Sequence, residues 1–400
     1  MGSGKRIVVA GGSLAGHAAV SELAGRVPGT EVLWITGEAQ PAYSKPALSK
    51  EFMQGHSAVA DLLLPPAEGD IRILRGRPCA ALDVGGRSVR LADGEVIGFD
   101  HLIIATGAVA RMPAIFSGVG GVHALRTLED AVAIRACLAD SPRVAVIGGG
   151  LIGCELAASM RTLGLSAVIV EKLDRLLDRP FGGALSEYFH DLHRSHGVDL
   201  LLGTGVERLE VKDGRVAGVV LGDGRVIPAD LVVVGAGSQP ATRWLDGSGL
   251  AVDDGVLCDQ NLATSSPAIH AAGDVARWHN PLFDRRMRVE HWTNASAQGR
   301  AAARNVIATL TGRPDQVVPF GDVPYFWSDQ YGQKIQMAGW HEGHDRVDIE
   351  QPGDAPGPLV RFWREGRLVA AAAVNAPRAV MRLRRQIETE ARDRHHATAS

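Results

Sequence analysis

The chain has 400 residues, 46% of them hydrophobic and 48 of them glycine, enough for about two or three domains with substantial cores and many tight turns. Its formal net charge of −3 gives no global attraction to nucleic acid or to an anionic membrane. No apolar run approaches the ~18 residues of a membrane-spanning helix, and Met1-Gly2-Ser3-Gly4-Lys5-Arg6 leads into a first strand without a signal-peptide core, so a cytoplasmic protein is expected.

Residues 5–40 predict strand, turn, helix and strand: Ile7 to Ala10, a helix over 14–25, then Glu31 to Thr36. Residues 41–66 read as irregular, with prolines at 41, 46, 65 and 66. Strands are expected at 71–74 and 87–91, the latter continuing past Asp93-Gly94 to Val96-Ile97. Leu102 to Ala105 is a continuous apolar run suited to a buried parallel strand. From near residue 114 the pattern repeats: a helix over 128–139, strand-turn-helix-strand over 143–171, and a helix over 183–196. A hairpin over 206–221 turns at Asp213-Gly214, and the buried strand Leu231 to Val234 leads to Gly235-Ala236-Gly237. The chain then returns to its first unit through Ile269 to Asp274 and an alanine-rich helix over 294–310. In the last part, Lys334 to Trp340 and Leu359 to Trp363 alternate like strands with an exposed face. Leu368 to Val374 follows the Glu365-Gly366 turn, a basic helix spans about 377–390, and Ala391 to Ser400 reads as a frayed tail.

Two glycine turns carry the chemistry. Gly11-Gly12-Ser13-Leu14-Ala15-Gly16 and Gly148-Gly149-Gly150-Leu151-Ile152-Gly153 each follow an apolar strand and open a helix, the geometry that holds a pyrophosphate on helix N-terminal N–H groups. Each also has a carboxylate about 20 residues on, where it can accept from ribose hydroxyls. Glu38 lies 22 residues after Gly16, and Glu171 lies 18 after Gly153. Ser13 replaces the middle glycine of the first turn, but its small hydroxyl could itself donate to a phosphate. Glu171 suits NADH and repels the 2′-phosphate of NADPH, although Lys172 beside it could soften that repulsion. The four cysteines, Cys79, Cys137, Cys154 and Cys258, form no C-x-x-C or C-x₄-C pair. That spacing argues against a zinc site or a redox dithiol and for reduced cytoplasmic thiols.

These segments, with Tyr43-Ser44-Lys45-Pro46-Ala47-Leu48-Ser49-Lys50, Ala105-Thr106-Gly107-Ala108 and Arg111, Ala271 to Arg277, Val289-Glu290-His291-Trp292-Thr293-Asn294-Ala295, Phe326-Trp327-Ser328-Asp329-Gln330 and Val374 to Arg378, carry a family resemblance. The chain resembles, over about 5–387, the FAD-dependent NADH:ferredoxin reductases of oxygenase systems, the putidaredoxin reductase and dioxygenase ferredoxin reductase family. The resemblance implies an α/β, glutathione-reductase-like fold with two Rossmann-type domains. A discontinuous FAD domain would cover 1–113 and 239–315, an NAD domain 114–238, and a C-terminal α+β domain 316–400.

It further implies that Gly11, Ser13, Leu14, Ala15 and Gly16 hold the FAD pyrophosphate, with Glu38 at the adenosine ribose. Lys45, Ala105, Thr106, Gly107, Arg111, Gly273, Asp274, Val275, Trp292 and Trp327 would also contact FAD, Asp274 at the ribityl chain. Lys50 would stand near the isoalloxazine and pair with Glu155 beside the nicotinamide, so that Lys50, Glu155 and Trp327 form the catalytic set. Gly148, Gly150, Leu151, Ile152, Gly153, Glu155, Glu171, Gly235 and Gly237 would bind NAD. Lys45 stands where much of the family has arginine and loses that residue's bidentate fork.

The activity implied is electron transfer from NADH through FAD, singly, to a [2Fe–2S] ferredoxin serving a cytochrome P450 or a ring-hydroxylating dioxygenase. No metal is required, and a monomer or weak dimer is expected. Competing readings are a rubredoxin reductase, a diaphorase or NADH oxidase, and an NADH-responsive interaction protein of the apoptosis-inducing-factor type. Arg285, Arg286, Arg288 and Arg300 could dock an acidic ferredoxin or form an ordinary basic surface. His190, His193 and His196 read as a solvated helix face rather than a metal site. Arg378, Arg382, Arg384 and Arg385 read as a solvated face or a ferredoxin contact.

Overall fold

The structure is a computed structural model that describes residues 4–140, 142–351 and 357–398. Two parallel five-stranded sheets share one layout. The first runs Ile269–Ala271, His101–Ile104, Arg6–Ala10, Glu31–Ile35, Ile71–Leu74. The second runs Asp199–Leu201, Ala167–Val170, Val144–Ile147, Leu231–Val234, Val122–Ala124. Their central strands are nearly all apolar because helices or meanders cover both faces of a parallel sheet. Each unit also carries a three-stranded antiparallel meander, the first of them adding a strand at Cys79–Asp83 that the sequence pattern does not mark. In the second meander Asp213 and Gly214 both adopt positive φ, as the hairpin turn requires. A two-stranded ribbon, Ala108–Ala110 with Ser238–Pro240, joins the units where the chain leaves and re-enters the first.

The third unit is an antiparallel sheet in the order Tyr325–Gln330, Gln333–Gly339, Arg367–Val374, Leu359–Arg364, Arg346–Glu350, with the helix Pro377–Thr398 against it. The expectation of exposed strand faces here is corrected. Ile335, Met337, Ala338, Leu359, Val360 and Phe362 are buried. The strand Arg367–Val374 explains why: Ala371 and Ala373 join the core that contains Val380, Leu383 and Ile387 of the last helix. Ala370, Ala372 and Val374 join the core that contains Phe181 and Phe189 of the second unit. A strand buried on both faces has no polar alternation to read. The expected frayed tail is corrected as well: the helix continues through Thr398, and Ala391 is buried.

Candidate functional site

At the first turn Gly11 has φ +133, and a Cβ there would lie 1.9 Å from the Ala105 carbonyl oxygen. Trp34 Nε1 donates to the Gly11 carbonyl at 2.7 Å and fixes the turn from below. Gly16 lets the helix Leu14–Leu23 sit on the turn, because a Cβ there would be 1.9 Å from the Gly11 oxygen. Ser13 is the N-cap residue, but its hydroxyl makes no cap bond. The helix Trp292–Leu310 roofs this unit, with Gly299 at 2.2 Å from the Ala15 oxygen measured from an added Cβ.

A cavity of about 700 Å³ opens above this turn, within the range of a cofactor site. It brings together Gly11, Ser13, Leu14, Ala15, Glu38, Lys45, Lys50, Ala105, Thr106, Gly107, Gly273, Asp274, Trp292 and Trp327. Leu151, Ile152 and Glu155 reach it from the second unit. Gly16 and Val275 pack beneath the wall instead. Arg111 is exposed and is not among the lining residues; its backbone N–H donates to the Gly237 oxygen at 2.9 Å, and its guanidinium has no hydrogen bond or ion pair among the described residues. The guanidinium that reaches the cavity is that of Arg126, which sequence reasoning missed.

Three ion pairs line the wall. Lys45 Nζ donates to Glu38 at 2.8 Å, and Arg126 donates to Asp274 at 2.6 Å. Burial lowers the Lys45 pKa from its usual value, against the pull of Glu38. Burial also opposes the Arg126 charge, but Asp274 together with Glu290 and Glu38 outweighs it and holds the guanidinium's pKa above normal. Tyr43 donates to Glu38, and burial with that contact pushes its hydroxyl pKa up.

The third pair is the deepest. Lys50 ends the short 3₁₀ helix Lys45–Ser49, and Glu155 lies in the second turn of the helix Leu151–Thr162. Their side chains are 10% and 7% exposed and meet at 2.7 Å. Glu155 Oε2 also accepts from Ser49 Oγ at 2.5 Å, and Oε1 accepts from Ser328 Oγ at 2.6 Å. Three donors therefore fix one buried carboxylate. His291 lines the same cavity; burial pushes it down to about 4, and its Nδ1 has no partner among the described residues.

The second turn is open on one side. Gly148 has φ +110, with an added Cβ 2.4 Å from the Gly235 oxygen, and Gly153 would meet the Gly148 oxygen at 2.0 Å. A Cβ added at Gly150 or Gly237 would meet nothing within 4 Å among the described residues. Glu171 ends the strand Ala167–Val170 and accepts from the Gly149 N–H at 2.6 Å and the Leu173 N–H at 2.8 Å. That holds its carboxylate at the mouth of the turn.

Other expectations fare unevenly. Cys79 lines the cavity, but burial pushes its thiol up to about 12, and all four cysteines are free. Arg288 is committed to Asp254 and Glu290, and Arg285 to Glu342 at 3.0 Å; Arg286 and Arg300 are exposed with no ion pair among the described residues. The solvated-face reading of the histidines is corrected: His193 is fully buried and His190 nearly so, because the C-terminal sheet covers that helix, and only His196 is exposed. Arg384 bonds Asp322 at 2.8 Å, whereas Arg378, Arg382 and Arg385 are exposed. Among the described residues no helix is long and apolar enough to cross a membrane.

Residues 5–299 match the family model for pyridine nucleotide-disulphide oxidoreductases, and residues 325–400 match the reductase C-terminal model. The chain is 37% identical over 387 residues to a probable ferredoxin reductase, CtmF, of Castellaniella defragrans, covering 94% of this chain and 92% of that one. It is also 37% identical to rhodocoxin reductase of Rhodococcus erythropolis, covering 96% and 90%. The solved covalent putidaredoxin reductase–putidaredoxin complex aligns with TM-score 0.90 at 32% identity, covering 96% of this chain and 93% of that chain.

Proposed function

This chain belongs to the pyridine nucleotide-disulphide oxidoreductase family, and on that premise we propose that it is an NADH-dependent FAD reductase that passes electrons singly to a [2Fe–2S] ferredoxin. That ferredoxin would serve a cytochrome P450 or a ring-hydroxylating dioxygenase. The observation that carries this reading is one cavity lined both by the first nucleotide turn and by the helix that opens from the second, with the Lys50–Glu155 pair at the junction.

The residues present fit an FAD. Gly11 and Gly273 line the cavity with bare backbone, the Ser13 hydroxyl makes no cap bond, and among the described residues the His291 Nδ1 is an orphaned buried polar atom at the wall. Gly11, Ser13, Leu14, Ala15 and Gly16 would hold its pyrophosphate, and Glu38 its ribose. Lys45, Ala105, Thr106, Gly107, Gly273, Asp274 and Val275 would hold the rest, with Trp292 and Trp327 flanking the ring. Arg126 takes over, in this proposal, the part expected of Arg111. When bound, the flavin supplies the conversion of a hydride into one-electron steps.

The protein's part is position and charge. Lys50 would present its side-chain nitrogen toward the ring of a bound flavin, and Glu155, 2.7 Å away, aims it. Ser49 and Ser328 prevent Glu155 from turning away. Gly148, Gly150, Leu151, Ile152 and Gly153 would seat the NADH pyrophosphate, with Gly235 and Gly237 beside it. Glu171 would accept from the ribose hydroxyls and repel a 2′-phosphate. The thiol at the wall, Cys79, is held protonated by burial, so electrons would leave toward an external carrier rather than through cysteine.

We take residues 1–113 with 239–315 as the FAD unit, 114–238 as the NAD unit and 316–400 as the C-terminal unit. The pairing of Ile269–Ala271 with His101–Ile104 supports this division. Arg286 and Arg300 become the candidate docking cations, since Arg285 and Arg288 are already paired. The free cysteines support a cytoplasmic location.

The test is NADH-dependent cytochrome c reduction with and without added carriers. Strong stimulation by a [2Fe–2S] ferredoxin and not by a rubredoxin is expected. Stimulation by rubredoxin alone, or an undiminished rate with neither, would replace this reading with a rubredoxin reductase or a diaphorase.

A further inference from the structure

We infer that Tyr331, His193, Gln330 and Ser328 form a one-way hydrogen-bond chain that positions Glu155, and through it Lys50, from the contact between the second and C-terminal units. This rests on the function proposed above.

The direction follows from chemistry at each link. The Glu155 carboxylate can only accept, so Ser328 Oγ donates to Oε1 at 2.6 Å. The lone pairs of Ser328 then face Gln330, whose Nε2 donates at 3.1 Å. That orientation turns Gln330 Oε1 toward His193 Nε2 at 3.1 Å, so the imidazole proton must sit on Nε2. The bare Nδ1 accepts from the Tyr331 hydroxyl at 3.0 Å. The chain works only with a neutral ring. Burial supplies that condition by pushing His193 down to about 4.

Burial and backbone agree with a specific arrangement. Ser328, Gln330 and His193 are each at most 1% exposed. Tyr331 occupies the two-residue turn with Gly332 between Tyr325–Gln330 and Gln333–Gly339, at φ +51, a region that bulky residues seldom adopt. Its ring stacks on His196 with centroids 3.8 Å apart, which fixes where the hydroxyl points. The chain thus ties three separate pieces together: the helix Leu151–Thr162, the helix Ser186–Ser195 and the strand Tyr325–Gln330. With Oε1 held by Ser328, Glu155 keeps Oε2 free for Ser49 and Lys50. Head-to-tail bonds of this kind polarise one another, so loss of a distant link weakens the last one.

The test is a double-mutant cycle on the FAD-loaded full chain, reading the first-order rate of flavin reduction by NADH, the midpoint potential of the bound FAD, and Tm. Ser328→Ala and Gln330→Leu are expected to slow reduction about tenfold alone, but less than twofold in a Glu155→Gln background. The potential should shift in the same variants, and Ser328→Thr, which keeps the hydroxyl, should lose less than Ser328→Ala. Equal losses in both backgrounds, or a lowered Tm with potential and rate unmoved, would reduce the chain to inter-unit packing and overturn the inference. Should Gln330→Leu not fold, Tyr331→Phe carries the test, with a two- to threefold loss expected and no change overturning. The potential needs only bound FAD. A wild-type protein that NADH does not reduce therefore counts against the proposed function, while an unmoved potential counts against the chain.

Discussion

The first glycine turn is roofed and the second is not. At the first, Gly11, Gly16 and Gly299 each stand where a Cβ would come within 2.2 Å of backbone oxygen, and the helix Trp292–Leu310 closes over it. At the second, Gly148 and Gly153 are as tight, yet Gly150 faces open space and Ile152 is 40% exposed. The same local grammar therefore builds an enclosed seat at one turn and an open one at the other, as the proposed held FAD and exchanging NADH would require. The difference lies in a helix that begins about 280 residues after the first turn, not in the turns.

The sharpest way to break this comparison is to crowd the roof of the first turn and the open side of the second. Gly299→Val should yield protein without flavin absorbance after purification, because its Cβ collides with backbone that cannot yield. Gly150→Ala should retain FAD and keep Tm within about 2 °C, showing instead a raised KM for NADH. Equal flavin loss in both would erase the distinction.

Acid should reach both sides. His270 and His291 in the first unit and His193 in the second are pushed by burial down to about 4 from 6.5. Below pH 6.5 the unfolded chain binds protons that the folded chain refuses. Stability is thus fully present above 6.5 and is lost as pH falls toward 4, on the order of 3 kcal/mol per histidine. Chemical denaturation across that window should show a falling midpoint, and a flat one would refute buried neutral rings.

At the junction, Lys50→Met should keep FAD but slow flavin reduction by NADH about 100-fold in stopped flow, the order expected of a lost charge aimed at the reacting centre. An unchanged rate would make the pair a simple strut between units. The smallest effect is at the open turn. Glu171→Gln should raise the NADPH-to-NADH ratio of kcat/KM about tenfold, since it removes one repulsive charge, about 1.4 kcal/mol. No change would mean that the carboxylate is occupied only in bonding Gly149 and Leu173.

What the sequence made legible was local. Both turns, their acidic partners and the Asp213-Gly214 hairpin depend on residues close in the chain, and each stands where its spacing says. Lys50 and Glu155 lie 105 residues apart, and only the family resemblance joined them. Arg126 had no signal at all: its partner Asp274 is 148 residues away, and no motif surrounds it. Histidines at every third position of a helix, as at 190, 193 and 196, look like a wet face, yet His193 is buried. The strand that covers it begins more than 120 residues later. The alanine strand Arg367–Val374 was legible as a strand but not as one with two dry faces, because alanine fits either.

Where NADH electrons emerge is measured directly by an anaerobic count with purified FAD-loaded protein. Two [2Fe–2S] ferredoxin molecules should be reduced for each NADH consumed, with FAD still bound afterward and NAD⁺ released. NADH consumption that leaves the ferredoxin oxidised, or that proceeds equally well through a rubredoxin, would contradict the proposed function.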